Sequence, residues 1–112
     1  MWSSMSVTNK VIVDGHVAVI YSRGYGAGWS SWNNDYSEED LIFDPGLVNL
    51  VLENKTDEEI EVYATLKWPD AYLGGLEGLD IRWVPKGTKF HIREEDGNEM
   101  VVQDDDIEWI TA

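Results

Sequence analysis

The apolar and polar positions of this chain change period along its length, and each change marks an element. "KVIVDGHVAVIY" sets two β-branched runs, residues 11–13 and 17–20, on either side of Asp14-Gly15. Asp-Gly suits the positive φ angles of a two-residue turn, so an N-terminal β-hairpin is predicted. Near the other end, "LDIRWV" turns at Pro85-Lys86-Gly87 into "TKFHIRE", which turns at Asp96-Gly97 into "NEMVVQ". Ile81 and Trp83 alternate with Asp80 and Arg82; Phe90 and Ile92 alternate with Lys89, His91 and Arg93. One face is apolar and one polar, the pattern of an antiparallel meander covered on one side. A last short strand is expected around Ile107, Trp109 and Ile110.

Between these ends the period lengthens. In "FDPGLVNLVLENK", Asp44 is placed to cap a helix and Pro45 to sit in its first turn, where the missing N–H does no harm. Leu47, Val48, Leu50, Val51 and Leu52 make a mostly buried short helix that ends at Asn54 or Lys55. Residues 57–68 support two readings. Ile60, Val62, Ala64, Leu66 and Trp68 alternate as in a strand, whereas Thr56 followed by Glu59 is a capping box and Ile60, Tyr63, Ala64 and Lys67 share a helical face. The capping box and the acidic first turn favour helix. The expected architecture is therefore α+β: an N-terminal β-hairpin, one or two short helices and a C-terminal antiparallel β-meander, with the helices packed on one sheet face. Residues 1–9 are expected to be a flexible extension before a single domain, 10–112.

Charge narrows the partners. The 112 residues carry 22 acids and 8 bases, a net charge of -14. Phosphate backbones and anionic membranes are bound mainly through Lys and Arg, so neither direct nucleic-acid binding nor membrane binding is expected. A basic protein is the natural partner, for instance one that itself handles nucleic acid. There is no cysteine, which removes disulfides, thiolate catalysis and sulfur-ligated metal. No apolar leader and no membrane-length run occur, and a cytoplasmic setting is expected.

Two stretches carry candidate chemistry. The first is "SRGYGAGWSSWNNDY", residues 22–36. Its glycines fit neither the G-x-G-x-x-G nor the P-loop spacing. It reads either as a glycine-permitted corner with its aromatics in the core, or as a pocket in which a nucleotide or other flat ring stacks on Tyr25, Trp29 or Trp32 beside Arg23. The second is the acidic run Glu94, Glu95, Asp96, Glu99, Asp104, Asp105, Asp106 and Glu108, which contains no base. It matches no calcium loop and reads as a solvated face, or as a docking surface for a basic partner. His16 and His91 are isolated from each other and from any metal-binding spacing, and no nucleophile elbow surrounds Ser30 and Ser31. No catalytic residue, metal site or cofactor is expected. Trp68, Trp83 and Trp109 are assigned to the core. Trp29 and Trp32 are the loop pair that could anchor a partner next to the acids Glu94, Glu95, Asp96, Asp104, Asp105 and Asp106.

Three strings, "GYGAGWSSWN", "FDP" and "YLGGLEGLDIRWVPKGTKFHIREEDGNE", make the chain resemble a family of small proteins encoded by tailed bacteriophages and prophages. The resemblance covers roughly residues 10 to 110. The family pattern has tyrosine before the second Asp-Gly, where this chain has Glu95. The resemblance implies a phage accessory protein acting in a bacterial cytoplasm. By analogy it suggests a protein that blocks host machinery, including anti-CRISPR-like inhibition of a defence component.

Overall fold

The fold is α+β, and a computed structural model describes residues 10–24, 27–103 and 110–111. Strands β1 (Ile12–Val13) and β2 (His16–Ser22) form the N-terminal hairpin, and its Asp14-Gly15 turn takes positive φ at both residues. A 3-10 turn at Ser30–Trp32 leads to α1 (Glu38–Phe43). Asp44 then bends the chain directly into α2 (Pro45–Leu52). Helix α3 (Asp57–Lys67) follows, then a 3-10 turn at Gly74–Gly78, β3 (Leu79–Pro85), β4 (Lys89–Glu95), β5 (Asn98–Gln103) and β6 (Ile110–Thr111). Residues 57–67 are thus helical: Thr56 accepts the Glu59 N–H at 3.2 Å and its hydroxyl also meets the Glu59 carboxylate. This N-cap, with acids filling the first turn, favours the helical period over the strand one.

The strands divide into two three-stranded antiparallel sheets, ordered β1-β2-β3 and β5-β4-β6. The turn after Pro85 therefore carries the chain from one sheet to the other. Strand β3 pairs with β2 over seven residues, from His16↔Pro85 to Ser22↔Leu79. Strand β2 lies between two cores, which explains its unbroken apolar run. Ala18 and Ile20 face a cluster with Trp29, Leu41, Leu47, Val48, Ile60, Ala64, Trp68 and Leu76. Val17 and Val19 face a second cluster with Ile42, Phe43, Val84 and Phe90, against which Ile92 and Val101 also pack. Helices α2 and α3 thus cover one face of the first sheet and the second sheet covers the other. Helix α1 contributes to both cores. Trp83 is half-buried at the edge of the first core rather than enclosed by it.

Four sequence expectations fall outside the described residues: the extension over 1–9, the loop residue Tyr25, the strand positions Ile107 and Trp109, and the acids Asp104, Asp105, Asp106 and Glu108. Among the described residues, no helix is long and apolar enough to cross a membrane.

Candidate functional site

The glycine-aromatic loop is closed by an acid from the far end of the chain. The Glu99 carboxylate, on β5, is 1% exposed. It accepts the backbone N–H groups of Ser22 at 2.9 Å, Trp29 at 2.9 Å and Ser31 at 3.0 Å, and also the Ser31 hydroxyl. Converging backbone N–H groups of this kind form a nest for an anion. Here the anion belongs to the protein. Glu99 therefore leaves the solvated acidic face that its sequence neighbours suggest. Its direction is legible in retrospect. In "NEMVV" it shares the inward parity with Val101, while Met100 points out and is 42% exposed.

Close backbone contacts complete the corner. A Cβ at Gly75 would meet the carbonyl of Gly28 and the Trp29 nitrogen, and one at Gly97 would meet the backbone of Ala27. Asn33 ties the loop to the following segment: its amide donates to Trp29 and Tyr72 carbonyls, and its oxygen accepts the Tyr72 N–H at 2.6 Å.

The expected loop residues then separate. Trp29 is fully buried, donates its indole N–H to the Leu41 carbonyl at 2.8 Å, and lies edge-on to Trp68 at 5.5 Å between ring centroids. It is a core residue and offers no surface for a stacked ring or a partner, which corrects its expected role. Arg23 is exposed and pairs with Asp80 at 3.0 Å. Tyr25 lies outside the described residues. The cleft beside the loop is lined by Ser22, Gly24, Ala27, Gly74, Glu77 and Gly78, with neither Trp29 nor Trp32 in its wall. Two of the loop's backbone donors, at Trp29 and Ser31, are directed at Glu99 instead of at this cleft.

Trp32 is different. It is 39% exposed and stands beside Tyr72, itself 51% exposed, with ring centroids 5.5 Å apart and planes tilted by 33°. Its indole N–H donates to the Glu94 carboxylate at 3.1 Å, and the same oxygen accepts the Gly97 N–H at 2.7 Å. These two bonds, the Gly97 bond foremost, hold the exposed Glu94 carboxyl below its ordinary pKa of 4.5. Glu95, the last residue of β4, and Asp96 in the turn to β5 are also exposed. The structure thus brings Trp32 and Glu94 together at one edge with Tyr72. Sequence reasoning missed Tyr72, because 39 residues separate Asn33 from it and the bonds that draw the two segments together, those of Asn33 among them, are made between distant parts of the chain.

A second polar cluster joins the helices. Asp44, 1% exposed, accepts the Leu47 N–H as the cap of α2, the Tyr63 hydroxyl at 2.6 Å and the Lys67 ammonium at 2.6 Å. Burial, with the adjacent Asp44 carboxylate, raises the Tyr63 pKa above 10.0. The hydrogen bond to Asp44 raises Lys67 above 10.5. These three Asp44 side-chain bonds go to Leu47 of α2 and to Tyr63 and Lys67 of α3, so the cluster fixes the helix pair. His16 is exposed beside its turn, with Nδ1 3.0 Å from the Asp14 carbonyl oxygen. Among the described residues no group of three or more His, Asp or Glu side chains is arranged to hold a metal ion.

Comparison of the chain with protein-family models, with curated proteins and with solved structures finds no match.

Proposed function

We propose that the protein is a non-catalytic phage accessory protein that binds a basic host or phage protein and blocks it. The edge formed by Trp32, Tyr72, Glu94, Glu95 and Asp96 makes the contact. One observation carries this reading: Trp32 and Tyr72 stay half-exposed side by side while a hydrogen bond to Glu94 holds the Trp32 ring. An aromatic already held in place loses little freedom on binding and is the usual anchor of an interface. Acids beside it, within a chain of net charge -14, attract a basic surface and speed its approach. The resemblance to phage proteins supplies the setting, and a nucleic-acid-handling or defence component of the host is the concrete target class.

The test is capture from bacterial lysate at low salt on wild-type protein and on Trp32→Ala, followed by affinity measurement with the purified captured protein. A basic protein that is released by moderate salt and bound much more weakly by Trp32→Ala supports the reading. Binding indifferent to both salt and Trp32 overturns it. The alternative of a small-ligand or nucleotide-sequestering protein using loop 23–32 requires nucleotides to raise the melting temperature, because a ligand of the native state must stabilise it.

A further inference from the structure

The apolar alternation over residues 60–68 has a meaning in the helix that it lacks in a strand. Ile60, Ala64 and Trp68 recur every four residues and are 5%, 0% and 4% exposed in the first core. Val62 and Leu66, also four apart, project from the opposite side of α3, since each residue turns a helix by about 100°. They are 60% and 81% exposed. Folding uses the first stripe, and the second is apolar surface displayed on a rigid helix.

That second stripe lines an open groove with Leu50 of α2, Tyr63, and the carboxylates Glu58 and Glu59. Tyr63 is immobilised by its hydrogen bond to the buried Asp44. Helix α2 presses on the same ring at Gly46, where any Cβ would collide with it. The Tyr63 wall of the groove is therefore held in place. We propose that it is a docking site for an amphipathic helix with Lys or Arg flanking its apolar side. Charge selects that occupant. Asp57 and Glu61 are exposed on the same helix as Glu58 and Glu59, none of the described lining residues is basic, and Lys67 is held by Asp44. A second copy in a twofold contact would set Glu58 and Glu59 against themselves in a chain of net charge -14. A basic helix neutralises the rim while covering the leucines. This surface shares no residue with the Trp32–Tyr72 edge and goes beyond the function proposed from it.

The probe is a labelled amphipathic Leu/Lys helix, titrated by fluorescence anisotropy against the full chain, with a scrambled peptide of the same composition as control. The helix is expected to bind about tenfold or more tighter than the scrambled peptide, and Val62→Ser/Leu66→Ser to remove that advantage. Both side chains are exposed, so the double variant should melt like wild type. Trp32→Ala should bind the helix unchanged, which separates this site from the other edge. Equal binding of the scrambled peptide would reduce the effect to the overall field and overturn the proposal. So would equal binding by the double variant, or no binding by wild type. A dimer in sedimentation that Val62→Ser/Leu66→Ser dissociates would assign the groove to a second copy instead.

Discussion

The Glu99 carboxylate accepts the Trp29 backbone N–H across 70 residues of chain, at 2.9 Å and out of contact with water. This bond decides what the glycine-aromatic loop is. Glycines let the backbone crowd around one point, and that crowding can serve a bound phosphate or an internal carboxylate. Here Glu99 takes the position and draws Ser22, Trp29 and Ser31 around itself, so the loop is organised from within.

Removing the Glu99 carboxylate should therefore cost more than one surface acid. Glu99→Ala leaves three backbone N–H groups without their acceptor, and each buried donor so exposed costs about 1–3 kcal/mol. We expect a loss of roughly 3 kcal/mol or more in urea denaturation, with a changed near-ultraviolet signal from Trp29. Glu99→Gln keeps one acceptor oxygen and should lose less. A Glu99→Ala chain as stable as wild type would show that the cradle does not hold the loop.

The parts of this fold that were legible in the sequence are those whose causes are local. Asp44 caps a nitrogen three residues away and Thr56 does the same, so both caps could be read from spacing. The two Asp-Gly turns impose their geometry within four residues. The strand partners depend on distant chain. The turn at residues 85–88 links β3 to β4, yet β3 pairs with β2, and only the doubly buried run 17–20 hinted that β2 lies between layers. The site was least legible for the same reason. Glu99 contacts segments 68 to 77 residues away, and a loop tryptophan carries no local mark of which side of the chain it will face.

The Asp44 cluster sets an alkaline limit. Tyr63 and Lys67 both hold their protons more tightly in the folded chain than their ordinary values of 10.0 and 10.5. Above about pH 10 the unfolded chain thus binds fewer protons than the folded one, and stability falls as pH rises. The contribution is fully present below the unfolded values and is lost through the folded ones. Melting temperature followed from pH 8 to 11 should decline, and Tyr63→Phe/Lys67→Met should flatten the decline while lowering stability at neutral pH. An unchanged slope in that variant would remove the cluster as its source.

Glu94 gives the opposite sign at the other end of the scale. Its folded pKa lies below 4.5, so its contribution is present above the unfolded value and disappears as pH falls through the folded one. Because the Trp32 indole donates to this carboxylate, the Trp32 Nε1 resonance in a nitrogen–proton NMR spectrum should shift with a midpoint below 4.5. Glu94→Gln should abolish that shift and leave the Trp29 indole resonance unmoved. A midpoint at or above the ordinary value would mean that the bond to Gly97 and the bond to Trp32 are not held in solution.

Trp29 and Trp32 stand three positions apart in similar sequence and should fail in different ways. Trp29 fills the core against Trp68 with its indole N–H on the Leu41 carbonyl, so Trp29→Ala leaves a cavity and should destabilise the chain by about 3–5 kcal/mol. Trp32 touches Tyr72 and Glu94 at the surface, and its loss should change stability by only about 1 kcal/mol or less. For a basic partner of the kind proposed, the order is expected to reverse. Trp32→Ala should weaken binding by about 2 kcal/mol or more, as expected of an interface anchor. Trp29→Ala should weaken it only as far as the chain is unfolded, so the affinity of the folded fraction stays near that of wild type. Denaturation curves and a binding titration on both variants check the two halves together. If Trp32→Ala unfolds the chain, or binds its partner as wild type does, the exposed ring is part of the scaffold and not its point of contact.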